Sequence, residues 1–271
     1  MSERPLVLAT LEGYAVEGGY DRAGEPATCF LPTITLGRHA GPGAASGLWT
    51  DYEVVVDLAA SLRLDGLRLT LEWSRIEPRR GRVDADALAR YRAVCAHARA
   101  GGLRVTAVLV DAAWPAWLGQ EAWLLPWVEP CAIEHGRRVV GALGDELDGV
   151  VVFADPTGIV DRGFLSGSAP PWRRRAVADR ASAAGQVGRI EESLRADAVV
   201  GPLVVARTRT LSLDQSPAAL AAALAASDCD EVYLRSLVRG AGPTAAPAGL
   251  LARPEGAWRV EVPDDLRALV A

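Results

Sequence analysis

The chain contains no lysine, and its remaining basic residues do not form the pattern of a nucleic-acid-binding protein. All 29 basic residues are arginine, which we interpret as a coding bias rather than a functional signal. The basic runs are short, as at Arg79–Arg80, Arg137–Arg138 and Arg173–Arg175, and the formal net charge is −5. These features argue against a nucleic-acid partner, which normally requires a clustered basic surface.

Long apolar runs and paired metal ligands are also missing. No stretch approaches the roughly 18 apolar residues of a membrane span, and the start "MSERPLVLAT" lacks the apolar segment of a secretion signal. The four cysteines form no C-x-x-C pair, and the three histidines are scattered. We therefore expect a cytoplasmic protein with reduced thiols, no metal site, no cofactor and no contact with a membrane.

The chain does have enough apolar residues for a large core, in alternating strand and helix patterns. Half of its 271 residues are hydrophobic, which fits one domain over residues 1–271. Apolar strand segments alternate with helical patterns, which predicts a parallel sheet with crossover helices. No G-x-G-x-x-G motif follows the first strand, which argues against a dinucleotide-binding fold. The predicted strand segments are "PLVLAT", "GLRLTLEW", "LRVTAVLV", "GVVVFAD" and "AVVGPLVVAR".

Charged side chains occur where these strands end. In an α/β barrel, the carboxyl ends of the strands carry the active site. We therefore expect these side chains to line one mouth. They are Glu12, Glu72, Asp111, Asp155 and Arg207.

An ordered series of motifs resembles the family 1 glycoside hydrolases, the β-glucosidase type. "LEWSRIEP" is similar to the family's W-S-R-I-x-P segment, and "ATLEGYAVEGG" to its A-x-Q-x-E-G segment. "AAWPAWL" and "FADPTGIVDRGFLSGSAPP" occupy the places of H-W-D-L-P and of T-F-N-E-P with its following loop. The resemblance implies an α/β, TIM-barrel-like fold and a retaining glycosidase ancestry.

The sequence departs from the family at the positions that perform its chemistry. The resemblance places the acid/base glutamate on Asp155 and the asparagine before it on Ala154. It places sugar-binding glutamine, histidine and tryptophan positions on Ala15, Asp111 and Ala112. The T-E-N-G motif that carries the nucleophile does not occur. Because retaining hydrolysis requires two carboxyl groups about 5–5.5 Å apart, we do not expect ordinary retaining chemistry here.

Acid/base chemistry on a small polar or ring-containing metabolite is therefore the favoured hypothesis, with a place in bacterial specialised metabolism. Crowded carboxylates acquire unequal pKa values, which suits cyclisation, dehydration, isomerisation or non-retaining hydrolysis. The candidate catalytic residues are Asp155, Glu72 and Asp111. The candidate substrate-binding residues are Arg68, Glu12, Tyr14, Glu17, Trp114, Trp117 and Arg207.

Two other interpretations remain open. The chain could be a non-catalytic binding or scaffold protein of the same descent. Alternatively, the acidic strand ends could be solvated or paired with arginines. For Trp114 and Trp117, stacking on a ligand and packing in a hydrophobic cluster are equally compatible with the sequence.

The register of the motifs predicts an incomplete barrel of five to six strands. Only 64 residues follow Arg207, whereas three further βα units of about 30 residues would be needed. We expect residues 208–271 to be shortened relative to the family. An open parallel sheet has unpaired edges, so we expect a homodimer or a partner protein to cover it.

Overall fold

The computed structural model describes residues 6–197, which form a parallel sheet with its crossover helices. The strands are β1 (Leu8–Leu11), β2 (Gly66–Thr70), β3 (Arg104–Val110) and β4 (Gly149–Phe153). The helices are α1 (Gly13–Val16), α2 (Leu31–Thr35), α3 (Tyr52–Ser61), α4 (Trp73–Ile76), α5 (Ala85–Ala100), α6 (Val128–Leu143), α7 (Pro156–Asp161) and α8 (Val177–Ala196). Short 3₁₀ turns lie at Ala116–Leu118, Ala122–Leu124 and Gly144–Glu146, and a π turn at Arg162–Ser166.

The order of the strands identifies the winding as that of a barrel. All neighbouring strands are parallel, and their spatial order β1-β2-β3-β4 is their order in the chain. Helix α3 packs on α5, α5 on α6 and α6 on α8, so the crossover helices form one continuous layer. A doubly wound sheet would instead reverse its strand order at a switch point. The α/β, TIM-barrel-like prediction is therefore confirmed.

The two faces of the sheet are packed differently. The large core lies between the sheet and the helices and includes Leu67, Leu69 and Val105, each at most 1% exposed. The other face carries a small separate apolar cluster of Val108, Val151 and Ala154, which we call the inner cluster. A barrel encloses this second face, and its upper edge leads to the strand ends.

The predicted element boundaries are largely confirmed. Asp84 caps α5, because its carboxylate accepts hydrogen bonds from the amides of Asp86 and Ala87. Strand β2 is shorter than expected, because Trp73 already belongs to helix α4. The predicted fifth strand and Arg207 lie outside the described residues.

Two findings in the described part of the chain concern membrane spans and cysteines. Between residues 6 and 197, no helix combines the length and the apolar character needed to span a membrane. The three cysteines in this part, Cys29, Cys95 and Cys131, are free thiols. Cys229 lies outside it.

Glu191 on α8 makes stability dependent on pH. It is 7% exposed, and its Oε2 atom has no hydrogen-bond partner among the described residues. Burial raises its pKa from 4.5 to about 7, and the nearby Arg195 opposes that shift. The folded protein therefore holds this proton more tightly than the unfolded chain, and stability falls as pH rises from about 4.5 to about 7.

We predict that Glu191→Gln raises the free energy of unfolding at pH 8 by roughly 3 kcal/mol and changes it little at pH 5. Urea denaturation of both proteins at the two pH values measures this difference. Glu192→Gln, at the exposed neighbouring position, is the matched control and should leave the pH profile unchanged. An equal gain from Glu191→Gln at both pH values would contradict the role of its charge.

Candidate functional site

Five charged side chains interact electrostatically near the carboxyl ends of the strands. Burial and the charges of Asp111 and Asp155 raise the pKa of Glu12, whereas the charges of Arg68 and Arg162 oppose the shift. These electrostatic contacts bring together groups that follow or belong to β1, β2, β3 and β4. We call Glu12, Arg68, Asp111, Asp155 and Arg162 the mouth cluster.

The apolar strand β4 is followed by Asp155 and Pro156, which begin helix α7. The side chain caps helix α7, accepting a hydrogen bond from the amide of Gly158 at 2.9 Å, and Pro156 occupies the first helical turn. Its other oxygen lies 3.0 Å from Nη1 of Arg162. A Cβ atom at Gly158 would lie 1.8 Å from this carboxylate, so glycine is required there. Both oxygens of the expected acid/base residue are thus engaged.

Asp111 lies close to the strand ends and is held by two donors. It is 8% exposed. Thr70 Oγ1 donates a hydrogen bond to Oδ2 at 2.9 Å, and the amide of Ala112 donates to Oδ1 at 2.8 Å. Thr70 and Arg68 lie two positions apart on β2 and face the same side, as the period of a strand requires. Asp111 is therefore positioned over the same face as Arg68.

Glu72 lies beneath the mouth cluster and is 1% exposed. Burial and the charges of Glu17 and Asp111 raise its pKa well above 4.5. Its Oε1 atom accepts a hydrogen bond from the amide of Tyr14 at 2.7 Å. The side chain thereby ties the first turn after β1 to the end of β2. Glu72 therefore has a structural role, because it fixes the backbone at Tyr14. Its catalytic role stays a prediction.

Gly13 provides the space that Glu72 occupies. A Cβ atom at position 13 would lie 2.4 Å from Cγ and 2.8 Å from Oε1 of Glu72. No real Cβ atom tolerates such contacts, so the two residues depend on each other.

We predict that Gly13→Ala destabilises the protein by roughly 1–3 kcal/mol through overpacking. The double variant Gly13→Ala/Glu72→Ser should lose less than the sum of the two single losses, with a coupling of about 1 kcal/mol or more. Denaturant unfolding of all four proteins measures the cycle. Gly141→Ala in α6, where an added Cβ meets nothing within 4 Å, is the control and should cost nothing. Strict additivity would contradict the steric dependence.

Glu17 is buried in an ion pair beneath the mouth. Its Oε2 atom lies 3.0 Å from Nε of Arg75 and also accepts the Tyr20 hydroxyl, while Oε1 accepts the Tyr91 hydroxyl at 2.7 Å. Glu17 is 2% exposed. The role of Glu17 in substrate binding stays a prediction, and this network favours a structural role.

Tyr14 and the candidate tryptophans are also engaged in packing. The Tyr14 hydroxyl donates to Asp21 at 2.9 Å. Trp114 is 1% exposed, and its indole donates to the carbonyl of Gly119 at 2.8 Å. The indole of Trp117 donates to the carbonyl of Glu77 at 2.8 Å, and its ring meets Trp73 edge-on at 5.8 Å. The packing interpretation is thus favoured for both tryptophans.

Sequence reasoning missed Arg162 and an aromatic contact beside the mouth. Phe30 stacks on Tyr14 and on His39, with ring centroids 5.0 Å apart in each case, and meets Trp172 edge-on at 6.2 Å. This contact joins the loop after β1 to the segment after β4. The seven-residue spacing of Asp155 and Arg162, two helical turns, is a signal that could have revealed their pairing.

Comparison with known proteins agrees with this barrel-type geometry. Residues 8–247 match the profile of Glycosyl hydrolase family 1, and the chain belongs to this family. A β-glucosidase of Agrobacterium sp. (strain ATCC 21400) is 28% identical over 150 residues, which are 55% of this chain and 32% of that protein. A chloroplastic galactolipid galactosyltransferase of Arabidopsis thaliana is 27% identical over 141 residues, which are 49% and 23% of the two chains.

Solved structures show the same fold. The family 1 β-glucosidase from Thermotoga maritima superimposes with a TM-score of 0.75 at 16% identity, over 88% of this chain and 57% of that one. The chain spans about a third or less of the curated relatives that it matches. The family and the barrel-type fold are therefore shown, and the reaction is not.

Proposed function

We propose that the mouth cluster binds a small polar metabolite and transfers protons to and from it, with Glu12 as the acid and Asp111 as the base. The observation that carries this proposal is the raised pKa of Glu12, which burial and the charge of Asp111 produce together. Two carboxyl groups at one edge of a barrel, one of them with a raised pKa, are an arrangement that general acid/base catalysis uses.

Retaining hydrolysis fits this chain less well. The 271 residues contain no asparagine, so the T-E-N-G motif does not occur in them. At the acid/base position, Asp155 is occupied by a helix amide and Arg162. To act as the acid, Asp155 would first have to break both of these interactions. Cyclisation, dehydration, isomerisation and non-retaining hydrolysis require only the proton transfers that Glu12 and Asp111 can supply.

The family's chemistry is not limited to hydrolysis. One matched relative is a galactolipid galactosyltransferase by name, which supports a reaction other than net hydrolysis for a distant member. We also propose that the chain takes part in bacterial specialised metabolism and is cytoplasmic. We further propose a single domain over residues 1–271, in which residues 208–271 are shortened relative to the family.

A non-catalytic binding protein is the second candidate. This candidate is favoured because Asp155 caps helix α7 and the buried Glu72 binds the amide of Tyr14. Both side chains hold the loops in place, and a mouth shaped in this way can bind a ligand without transforming it.

We predict that Asp111→Asn and Glu12→Gln each lower turnover about 10²-fold or more, because each removes one proton-transfer group. The substrate is first found as a compound that raises the melting temperature of the full chain, since ligands that bind the folded state stabilise it. Simple glycosides and gene-neighbourhood metabolites are the screening set, and product formation is then followed by NMR.

Asp57→Asn is the matched control, because Asp57 is an exposed aspartate on α3 paired with His97. Its turnover should equal that of the unchanged protein. If Glu12 is the acid, activity falls as pH rises through its raised pKa, and Glu12→Gln abolishes that limb of the profile. A ligand that binds without any product, in a protein with all five mouth residues intact, would favour the binding-protein alternative.

We also propose that a second copy of the chain covers the open side of the sheet. Within residues 6–197, the outer edge of β1 pairs with no strand. Val54 and Leu58 on α3, and Leu62 at the cap that follows it, are spaced four residues apart and are each more than half exposed. Solution scattering of the full chain should give the mass of a dimer, and Leu58→Glu should shift it to a monomer. A monodisperse monomer before mutation would contradict this proposal.

A further inference from the structure

Arg68 is a cation of the mouth cluster that has no carboxylate partner among residues 6–197. Arg75, Arg138 and Arg162 each lie within 4 Å of a carboxylate oxygen. Arg68 instead makes one hydrogen bond in this part of the chain, from Nη2 to the carbonyl of Ala154 at 2.9 Å. A guanidinium group has five N–H donors in a planar fork. Most of that donor capacity is therefore unused by residues 6–197.

The strand register places this free donor group on the inner face. Arg68 pairs with Thr106 of β3, which pairs in turn with Gly149 of β4. These two neighbours are small, which lets the long side chain extend across the face to the end of β4. The hydrogen bond to Ala154 then holds the guanidinium beside the inner cluster of apolar side chains. Arg68 is half-buried there.

The surroundings define what kind of molecule suits this position. The inner cluster offers an apolar floor, whereas Thr70, Asp111 and Glu12 offer oxygen atoms that can bind hydroxyl groups. A guanidinium pairs with an oxyanion through two parallel hydrogen bonds. Because the acidic side chains of Asp111 and Glu12 also lie nearby, the single charge of Arg68 suits a monoanion better than a dianion.

We propose that Arg68 binds the carboxylate of the ligand, so that the molecule taken up at the mouth is a small hydroxylated carboxylic acid, of which a uronic acid glycoside is the simplest representative. This inference rests on the proposed function for the location of the site and adds the substrate class. In this arrangement the carboxylate lies against Arg68 over the inner cluster, and the hydroxyl groups face Asp111 and Glu12.

Two probes that differ only in the charged group test this inference. Phenyl β-D-glucuronide carries a carboxylate where phenyl β-D-glucoside carries a hydroxymethyl group. Calorimetric titration of the full chain should show the glucuronide binding about tenfold or more tightly, because a charge-assisted bidentate pair replaces a neutral contact. Equal affinities, or tighter binding of the glucoside, would overturn the inference.

Substitution assigns the preference to Arg68. Arg68→Gln should abolish the preference for the glucuronide, and Arg68→Lys should retain part of it, since it keeps the charge without the planar fork. Arg104→Gln is the matched control, because Arg104 is an exposed arginine at the opposite end of the same sheet. A preference that survives Arg68→Gln, or that falls equally in Arg104→Gln, would contradict the assignment. If Arg68→Gln does not fold, the lysine variant and the probe pair still decide.

A third probe and one variant separate this inference from the proton-transfer proposal. Phenyl β-D-glucoside 6-phosphate is a dianion, and its binding more tightly than the glucuronide would overturn the monoanion class. If Asp111→Asn abolishes turnover but no carboxylate preference exists, the proton-transfer proposal stands and this inference fails. If the preference depends on Arg68 but Asp111→Asn turns over normally, the inference stands and the proton-transfer proposal fails.

Discussion

The buried pairing of Arg75 with Glu17 is the interaction on which the described architecture depends most. The guanidinium lies 3.9 Å from the centroid of the Trp49 ring and 4.3 Å from that of Tyr20, and it also donates to the carbonyl of Gly18 at 2.8 Å. One charge thereby connects the residues just after β2 to both ends of the long loop after β1. Removing either partner would leave the other buried and uncompensated, which is among the costliest changes in a protein interior.

This anchored loop determines what the mouth can do. Because Glu72 holds the amide of Tyr14, the residue two positions earlier, Glu12, is presented at the strand ends beside Asp111. On the opposite side, Asp155 fixes the start of α7 and positions Arg162. The acidic groups of this mouth therefore divide into two kinds. Glu72 and Asp155 hold backbone amides, whereas Glu12 and Asp111 are the groups to which we assign the proposed proton transfers.

The sequence predicted the fold better than it predicted the roles of individual side chains. The alternation of strands and helices and the clustering of charges at the strand ends follow from periodicity rules, which depend on near neighbours in the chain. The structural roles of Asp155 and Glu72 depend on their contacts with Arg162 and with the Tyr14 amide, which periodicity does not specify. Arg162 lies two helical turns beyond the Asp155 cap, and the space for Glu72 exists only because residue 13, after another strand, is glycine.

That last dependence constrains the order in which the present sequence could arise. With any side chain at position 13, the carboxyl group at position 72 has no room, because the added Cβ atom would fall 2.4 Å from Cγ of Glu72. Glycine with a smaller residue at position 72 merely leaves a gap. Glutamate at position 72 can therefore be gained only where position 13 is already glycine, and position 13 can accept a side chain only after position 72 changes.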